Sequence, residues 1–407
     1  MTRPAHVPAH LVVDYEAFGT EAPEELMAQV EQWRAIGPVV WTDRNGGHWV
    51  VISEPGVRTV LEDTQSFISS APGRGVTLIT SERPLHVPIE MDGAEHREYR
   101  KILMPLFSPG RVQLLQDTVR ELCRALIDEI AARGECDVVT DFARPIASTM
   151  FLQMVDWPLE DRFQLEAWVE QSLNGRPGAS LEELGRLKVE ALASMAEYAE
   201  ARIDERRGGS RDDMTTTIMN ATLRSGDPIP DDKLVRMMVL LLLAGLDTTQ
   251  SVLSRSLDFL GTHPEQQAQV RAAGADLTQT VEELVRYHTP AVPNRTAVSD
   301  KEIEGVLIKA GDTVQCLLGA ANRDGGAFAD PLTVDFDRPI NRHVAFSAGP
   351  HKCIGSALAR IILSVALEEF HKSFSDYRVV ESQGHIGSVW GMNSVHLAVE
   401  PAAIATA

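Results

Sequence analysis

The segment Phe346-Ser-Ala-Gly349-Pro-His351-Lys-Cys353-Ile-Gly355 concentrates more potential chemistry than any other part of the 407-residue chain. Its cysteine stands directly before a stretch of helical apolar spacing at Ile354, Leu358, Ile361, Ile362, Val365 and Leu367. A thiol at a helix N-terminus meets the positive end of the macrodipole and free backbone N–H groups, which favour the thiolate. Gly349 permits a turn of positive φ, and Gly355 lets a flat ligand approach the backbone. Such a thiolate is a metal ligand or a nucleophile; the commoner fate of a lone cysteine is inert burial. A second group, Asp247-Thr248, follows the longest apolar run, Met237 to Leu246. A carboxylate there costs several kcal/mol unless it is paired or hydrated. A helical threonine can bond the carbonyl four residues back and open the turn, which Gly245 weakens further. On the helix alone, a proton relay and a helix-bending pair satisfied by a neighbour fit equally. Glu283 and Arg286 stand three apart, and His96 and Arg100 four apart, so each pair shares a helix face. The ordinary readings are a surface ion pair worth ~0.3 kcal/mol and a solvated charged face.

These groups need elements to position them. Pro38-Val-Val-Trp-Thr and His48-Trp-Val-Val-Ile flank Asn45-Gly46-Gly47, which predicts a hairpin in a β-rich part at about 36–55. Residues 70 to 88 hold three prolines and two glycines, a loop long enough to be a lid or binding loop. Helical spacing dominates about 93–290 and 353–373. It predicts one helix over Val112–Arg133 ending at Gly134, a long helix from Pro230 to Leu260, and another over Leu277–Tyr287. Asn174–Gly178 and Gly208–Asp213 read as breaks, Ile303–Ile308 and Thr313–Leu317 as short strands, and the tail from Tyr377 as β. No repeat or linker cuts the chain, so the fold class is mainly α with small β-sheets, in one domain over 1–407.

Composition excludes several classes. With 38 Lys and Arg against 58 Asp and Glu, the formal charge is −20, a poor surface for nucleic acid. Cys123, Cys136, Cys316 and Cys353 form no CxxC pair, which points away from zinc knuckles and disulfides and toward a reducing cytoplasm. The start shows no signal layout, and an apolar run of ten residues falls short of the ~20 that span a membrane. No acid occurs between Asp337 and Glu368, whereas Arg338, Arg342, Lys352 and Arg360 do. That gap suits an acidic partner, or a buried segment that avoids acids.

The Phe346–Gly355 decapeptide resembles the heme-ligand signature of the cytochrome P450 family at every fixed position. Glu283-Leu-Val-Arg286 resembles its E-x-x-R motif, and Asp335-Phe-Asp-Arg338 the segment supplying the second arginine. Ala244-Gly-Leu-Asp247-Thr248-Thr resembles the oxygen-activation motif, and His96-Arg-Glu-Tyr-Arg100 the propionate motif. Together they cover roughly residues 90 to 360. The resemblance implies a P450 fold, with the long helix over heme b and the cysteine loop beneath. It implies Cys353 as axial ligand to the iron, with Phe346, Gly349, Gly355 and Ala244 against the cofactor. His96, Arg100, Arg295 and His351 would meet its propionates. Asp247 would relay protons and Thr248, rather than Thr249, would position bound oxygen and a water. Glu283, Arg286 and Arg338 would form a structural network. The activity implied is insertion of one oxygen atom of O2, the co-substrate, into a C–H bond, with electrons from a ferredoxin of the [2Fe–2S] type and its reductase.

By position, the pocket walls are Leu240, Leu243, Ala244 and Thr248, Ala291 and Val292, Trp390 and Met392, and Val76, Leu78 and Ile79 of the loop. A small hydrophobic substrate fits them, terpenoid-like first, an aromatic acid second with Arg74 or Arg83 on its carboxylate; solvent exposure is the ordinary reading of both arginines. The alternatives are a peroxygenase or isomerase on the same cofactor, or a non-catalytic heme sensor or carrier.

Overall fold

The computed structural model describes residues 3–78, 83–176, 178–273 and 276–402. Its axis is the helix Asp231–Thr262, 32 residues, or about 48 Å at ~1.5 Å per residue. Asp231 and Asp232 in its first turn complement the macrodipole. The helix is long and apolar enough to cross a membrane, yet 72% of its most apolar window is buried inside the protein. It is a core helix, packed against Arg144–Val155, Arg162–Leu173, Leu181–Asp204 and the C-terminal strands.

Three small sheets flank this helical body, the smallest a hairpin of Lys301–Ile303 with Val306–Ile308 that turns at Glu304 and Gly305 inside the stretch Ile303–Ile308 expected as strand. The strands Val39–Thr42 and His48–Val51 form the expected hairpin, with Asn45, Gly46 and Gly47 all at positive φ. His48–Val51 then pairs in parallel with Thr313–Cys316, which pairs with Asn294–Ala297 and through it with Phe67–Ile68. The chain's early and late parts thus share one sheet. A three-stranded sheet joins Phe374–His385 and Gly391–Pro401 to Glu135–Asp137.

Three expectations need correction. The helix over Val112–Arg133 is broken at Leu114 and Leu115 into Pro109–Gln113 and Gln116–Arg133, and Leu114 is left 79% exposed. Apolar spacing carried across a bend that breaks the helix. Asn294–Ala297 is a buried strand that its polar sequence, Asn-Arg-Thr-Ala, hid. A strand, Glu135–Asp137, also interrupts the stretch read as helical. The C-cap at Gly134 holds, with φ of 74°.

The helix Thr278–Tyr287 buries Glu283 and Arg286 completely, so the surface-pair reading fails. Glu283 accepts from Arg286 at 2.6 and 2.8 Å, from Arg338 Nε at 3.1 Å, from Asn341 at 3.0 Å and from the Asp335 N–H at 2.9 Å. Burial pushes this carboxyl up, but the Arg286 hydrogen bonds and the other donors outweigh it and hold the pKa below the ordinary value. Arg286 also donates to the carbonyls of Asn322, Pro331 and Thr333. Glu283→Ala would leave two guanidiniums facing each other in the interior, so urea unfolding should show a loss of ~3–5 kcal/mol. Truncating the exposed i,i+4 pair Arg186–Glu190 should cost under ~0.5 kcal/mol. Equal costs would mean that the network is not what holds this region.

Candidate functional site

The cysteine loop is fixed by its own backbone. The Cys353 N–H donates to the Phe346 carbonyl at 2.8 Å, Ser347 N–H to Val344 at 2.8 Å and Lys352 N–H to Gly349 at 3.1 Å. Gly349 has φ of +65°, and a Cβ there would fall 2.6 Å from the Leu61 carbonyl oxygen, so only glycine fits. The helix Ser356–Ser373 begins three residues after the cysteine. Burial pushes the Cys353 thiol up, opposed by the N–H groups of Gly355 and Ser356 and by Arg100 and Arg360. The thiol is surrounded by protein, yet its residue is exposed, so it remains accessible to a ligand. Cys123, Cys136 and Cys316 are buried with thiols pushed up to about 12, which makes them inert. A Cβ on Gly355 would touch only Cys353 Sγ, at 3.9 Å, and leaves room for a flat group. The Arg360 guanidinium lies 4.4 Å over the Phe346 ring and pairs with Glu282. Glu282 and its second partner His343 gave no sequence signal.

On the long helix, Leu240 and Thr248 are half-buried and Ala244 exposed, while Leu243, Leu246 and Asp247 are buried. Residues 240, 244 and 248 share one face, and in the middle of the helix that face is more open than the buried positions beside it. Thr248 Oγ1 donates to the Ala244 carbonyl at 3.0 Å. The backbone nevertheless stays α-helical through this turn, so the expected local opening is absent. Gly245 has a packing role instead: a Cβ there would lie 3.0 Å from the Phe151 ring.

Asp247 turns away from that face, 2% exposed. Its oxygens accept from Gln250 at 2.5 Å and Asn174 at 3.4 Å, and Arg144 donates to Gln250 at 3.1 Å. Burial, then the charge of Glu170, push its pKa up to about 7, against the hydrogen bonds of Gln250 and Asn174 and the charge of Arg144. An acid so placed exchanges protons near neutral pH. Gln250 lies one turn on in the same helix, Glu170 and Asn174 come from the end of Arg162–Leu173, and Arg144 from the start of Arg144–Val155; nothing in their local sequence marks them.

The four residues expected at propionates come together. His96 of the helix Gly93–Leu103 stacks on His351, centroids 4.1 Å apart, and Arg100 donates to the Lys352 carbonyl. Burial, then His351 and Arg100, hold His96 down at about 4. Arg295 is 2% exposed, donates to the Asn294 carbonyl at 2.8 Å, and its Nε has no partner. The acid nearest this group is Asp92, 3.5 Å from His351 Nε2 and bonded by the Ser69 and Ser70 N–H groups. A buried guanidinium without a carboxylate among the described residues suits an anionic ligand. A macrocycle with a metal for a thiolate, a flat body and two carboxylates therefore fits these residues.

The pocket walls are mixed. Leu240, Ala244, Val76 and Ala291 are partly open, while Leu243, Leu78, Val292, Trp390 and Met392 are packed into core clusters. Ile79 lies outside the described residues. Arg83 is not solvent-exposed; it is paired to Glu90 at 2.7 Å. Arg74 is exposed and donates to Gly311 O and Thr313 Oγ1. Of the four cations in the acid-free stretch, Arg338 is consumed by Glu283 and Arg360 by Glu282, which leaves Arg342 and Lys352 exposed.

Comparison with known proteins matches the family model "Cytochrome P450" over residues 16–274 and 276–377. The chain is 31% identical to a probable cytochrome P450 127A1 of Sinorhizobium fredii, over 97% of this chain and 96% of that one. It is 34% identical to a 20-oxo-5-O-mycaminosyltylactone 23-monooxygenase of Streptomyces fradiae, over 86% and 80% respectively. The crystal structure of cytochrome P450 CYP101C1 superposes with a TM-score of 0.84 at 29% identity, covering 98% of this chain and 100% of that one. Proteins of this family use heme b with O2 as co-substrate, bind small molecules and take electrons from redox partners. With a matching fold, a cysteine loop and cations set for two carboxylates, the chain belongs to the cytochrome P450 family and is a monooxygenase.

Proposed function

We propose that this monooxygenase hydroxylates a small hydrophobic molecule, terpenoid-like in shape, in the cytoplasm, with electrons from a [2Fe–2S] ferredoxin and its reductase. The observation that carries the assignment of residues is that Cys353, alone among the four cysteines, is exposed and accessible to a ligand. The heme bound there would supply O2 binding and reductive O–O cleavage, favoured by an electron-donating thiolate. Cys353 would hold the iron, and the N–H groups of Gly355 and Ser356 temper the charge on its sulfur. Arg100, Arg295, His96 and His351 would bind the two propionates. The small side chain of Ala244 leaves room over the macrocycle. Thr248 Oγ1, parked on the Ala244 carbonyl, can instead hold a water beside oxygen. Asp247 moves protons from the Asn174–Gln250 side toward Thr248. Leu240, Val76 and Ala291 give an apolar surface and exclude water from the substrate. The exposed Arg342 and Lys352, near the cysteine loop, offer an acidic ferredoxin a landing point in a chain of net charge −20.

Purified wild type, reduced under carbon monoxide, should give the thiolate-type Soret band, and Cys353→Ser should lose it. A retained thiolate band would assign the ligand elsewhere. Thr248→Ala should lower product formed per NAD(P)H consumed several-fold and raise peroxide correspondingly; unchanged coupling would remove the role given to this hydroxyl.

Asp247→Asn should slow turnover and also change stability in a pH-dependent way. The carboxyl is raised in the folded state, so the folded protein binds the extra proton between about 4 and about 7. Wild-type stability therefore falls as pH rises through that window and is level above it. Thermal unfolding at pH 5 and pH 8 should show Asp247→Asn gaining more over wild type at pH 8. An equal gain at both would contradict a raised pKa.

A further inference from the structure

A lysine buried in the middle of the helix Leu181–Asp204 has no role in the chemistry described so far. Lys188 is 1% exposed, and its Nζ donates to Thr77 Oγ1 at 2.6 Å. Among the described residues no carboxylate pairs with it. Glu90, the acid whose charge it feels, is already committed to Arg83 at 2.7 Å and to the N–H groups of Val76 and His86. Arg83, Glu90, His86 and Arg236 are the charged and titratable groups of this corner, and they leave it net positive. An ammonium has three donors, and enclosing it with one partner is costly unless something else completes its shell. Burial, then the charge of Arg83, hold its pKa down at about 7.

The position decides what that partner is. One turn before Lys188, Leu184 belongs to the same apolar cluster as Leu78, Val292 and Trp390; one turn after it, Leu192 belongs to the cluster that holds Leu243. These are residues of the substrate-pocket walls and the layer behind them, so the ammonium stands where loop 70–78 meets the roof of the pocket. We infer that Lys188 is a specificity-determining residue that binds a carboxylate on the hydrophobic substrate, displacing or sharing its bond with Thr77. The inference deepens the proposed function and rests on it: the substrate class narrows to an apolar body carrying one acid group, with its reacting carbon held at the far end. Arg74 and Arg83, the cations first considered for such an acid, are occupied elsewhere.

The test uses the heme-loaded protein with adamantane-1-carboxylate, cyclohexaneacetate and 4-ethylbenzoate, each beside its methyl ester. Binding is read by calorimetry and by the spin-state shift at pH 6.5. Wild type should bind at least one acid about tenfold or more tightly than its ester, the worth of one charge-assisted hydrogen bond. Lys188→Met, of similar length and apolar, should bring the two within about twofold while keeping the ester's affinity. It should also unfold at a higher temperature without ligand, because an incompletely solvated charge has gone. No acid preferred by wild type, or a preference that survives in Lys188→Met, would overturn the inference. The thiolate-type band under carbon monoxide, recorded on each sample, judges the monooxygenase reading separately. If it is absent, that reading fails, while calorimetry still decides the role of Lys188.

Discussion

The carboxylate of Glu283, held between the guanidiniums of Arg286 and Arg338, is the constraint from which the cysteine loop takes its place. Arg286 gathers the carbonyls of Asn322, Pro331 and Thr333, and Arg338 those of Ala329 and Thr333. This irregular stretch would otherwise bury its polar backbone without partners, at a cost per group comparable to a lost hydrogen bond. Asn322, fixed in this way, accepts the Val344 N–H at 2.7 Å, and Asn341 donates back to Glu283. Val344 in turn closes the Ser347 turn, and Phe346 closes on Cys353. Hydrogen bonds and short covalent links therefore connect one buried acid to the backbone of Cys353. The network touches the cysteine loop only through this backbone.

The long helix presents a different solution on its two sides. One face carries Leu240, Ala244 and Thr248 at a spacing of four, with nothing bulky at the middle position. The other carries Asp247 into a polar cluster with Gln250 and Asn174, backed by Arg144 and Glu170. Successive residues 247 and 248 thus belong to separate compartments, one polar and enclosed, one apolar and open. A proton held at Asp247 reaches the open side by rotation of its side chain or through a bridging water, over the span of a single residue. Because burial keeps the acid close to neutrality in charge, the helix bears it without a full ion pair.

Much of this was legible in the sequence where a signal is local. The Asn45-Gly46-Gly47 turn, the Gly134 cap and the span of the long helix all follow from short-range chemistry and matched the structure. The cysteine loop was legible because Gly349 answers a steric demand that admits one residue type. Elements decided by distant partners were not. Asn294–Ala297 is a strand because Thr313–Cys316 and Phe67–Ile68 lie on either side of it, and its own composition argues otherwise. The break at Leu114 and Leu115 escaped because apolar spacing does not report a bend. Around the site, Asp92, Glu282 and the partners of Asp247 act through contacts between elements 60 or more residues apart in most cases, where no spacing rule reaches. Arg83 shows the same limit in reverse: its sequence neighbourhood looks like an exposed loop, as it is at Arg74, yet Glu90 draws Arg83 inside.

The interior charges fall into three kinds, and the difference separates scaffold from site. Glu283 is saturated: every oxygen has donors, its pKa is depressed, and it offers nothing to a ligand. Asp247 is half-satisfied, and its environment answers by moving its pKa toward neutral, the property a relay needs. Among the described residues, Arg295 has a guanidinium nitrogen without a partner and Lys188 donates to Thr77 alone. Folding alone gives no reason to keep such groups, because apolar replacements of similar volume are usually as stable or more so. Their retention makes sense if each completes its shell with an anion that is not part of the chain. For Arg295 the carboxylates of the cofactor would meet that need. For Lys188, a helix away and facing the loop above the pocket, the cofactor is the wrong ligand, and the remaining acid is the substrate's own.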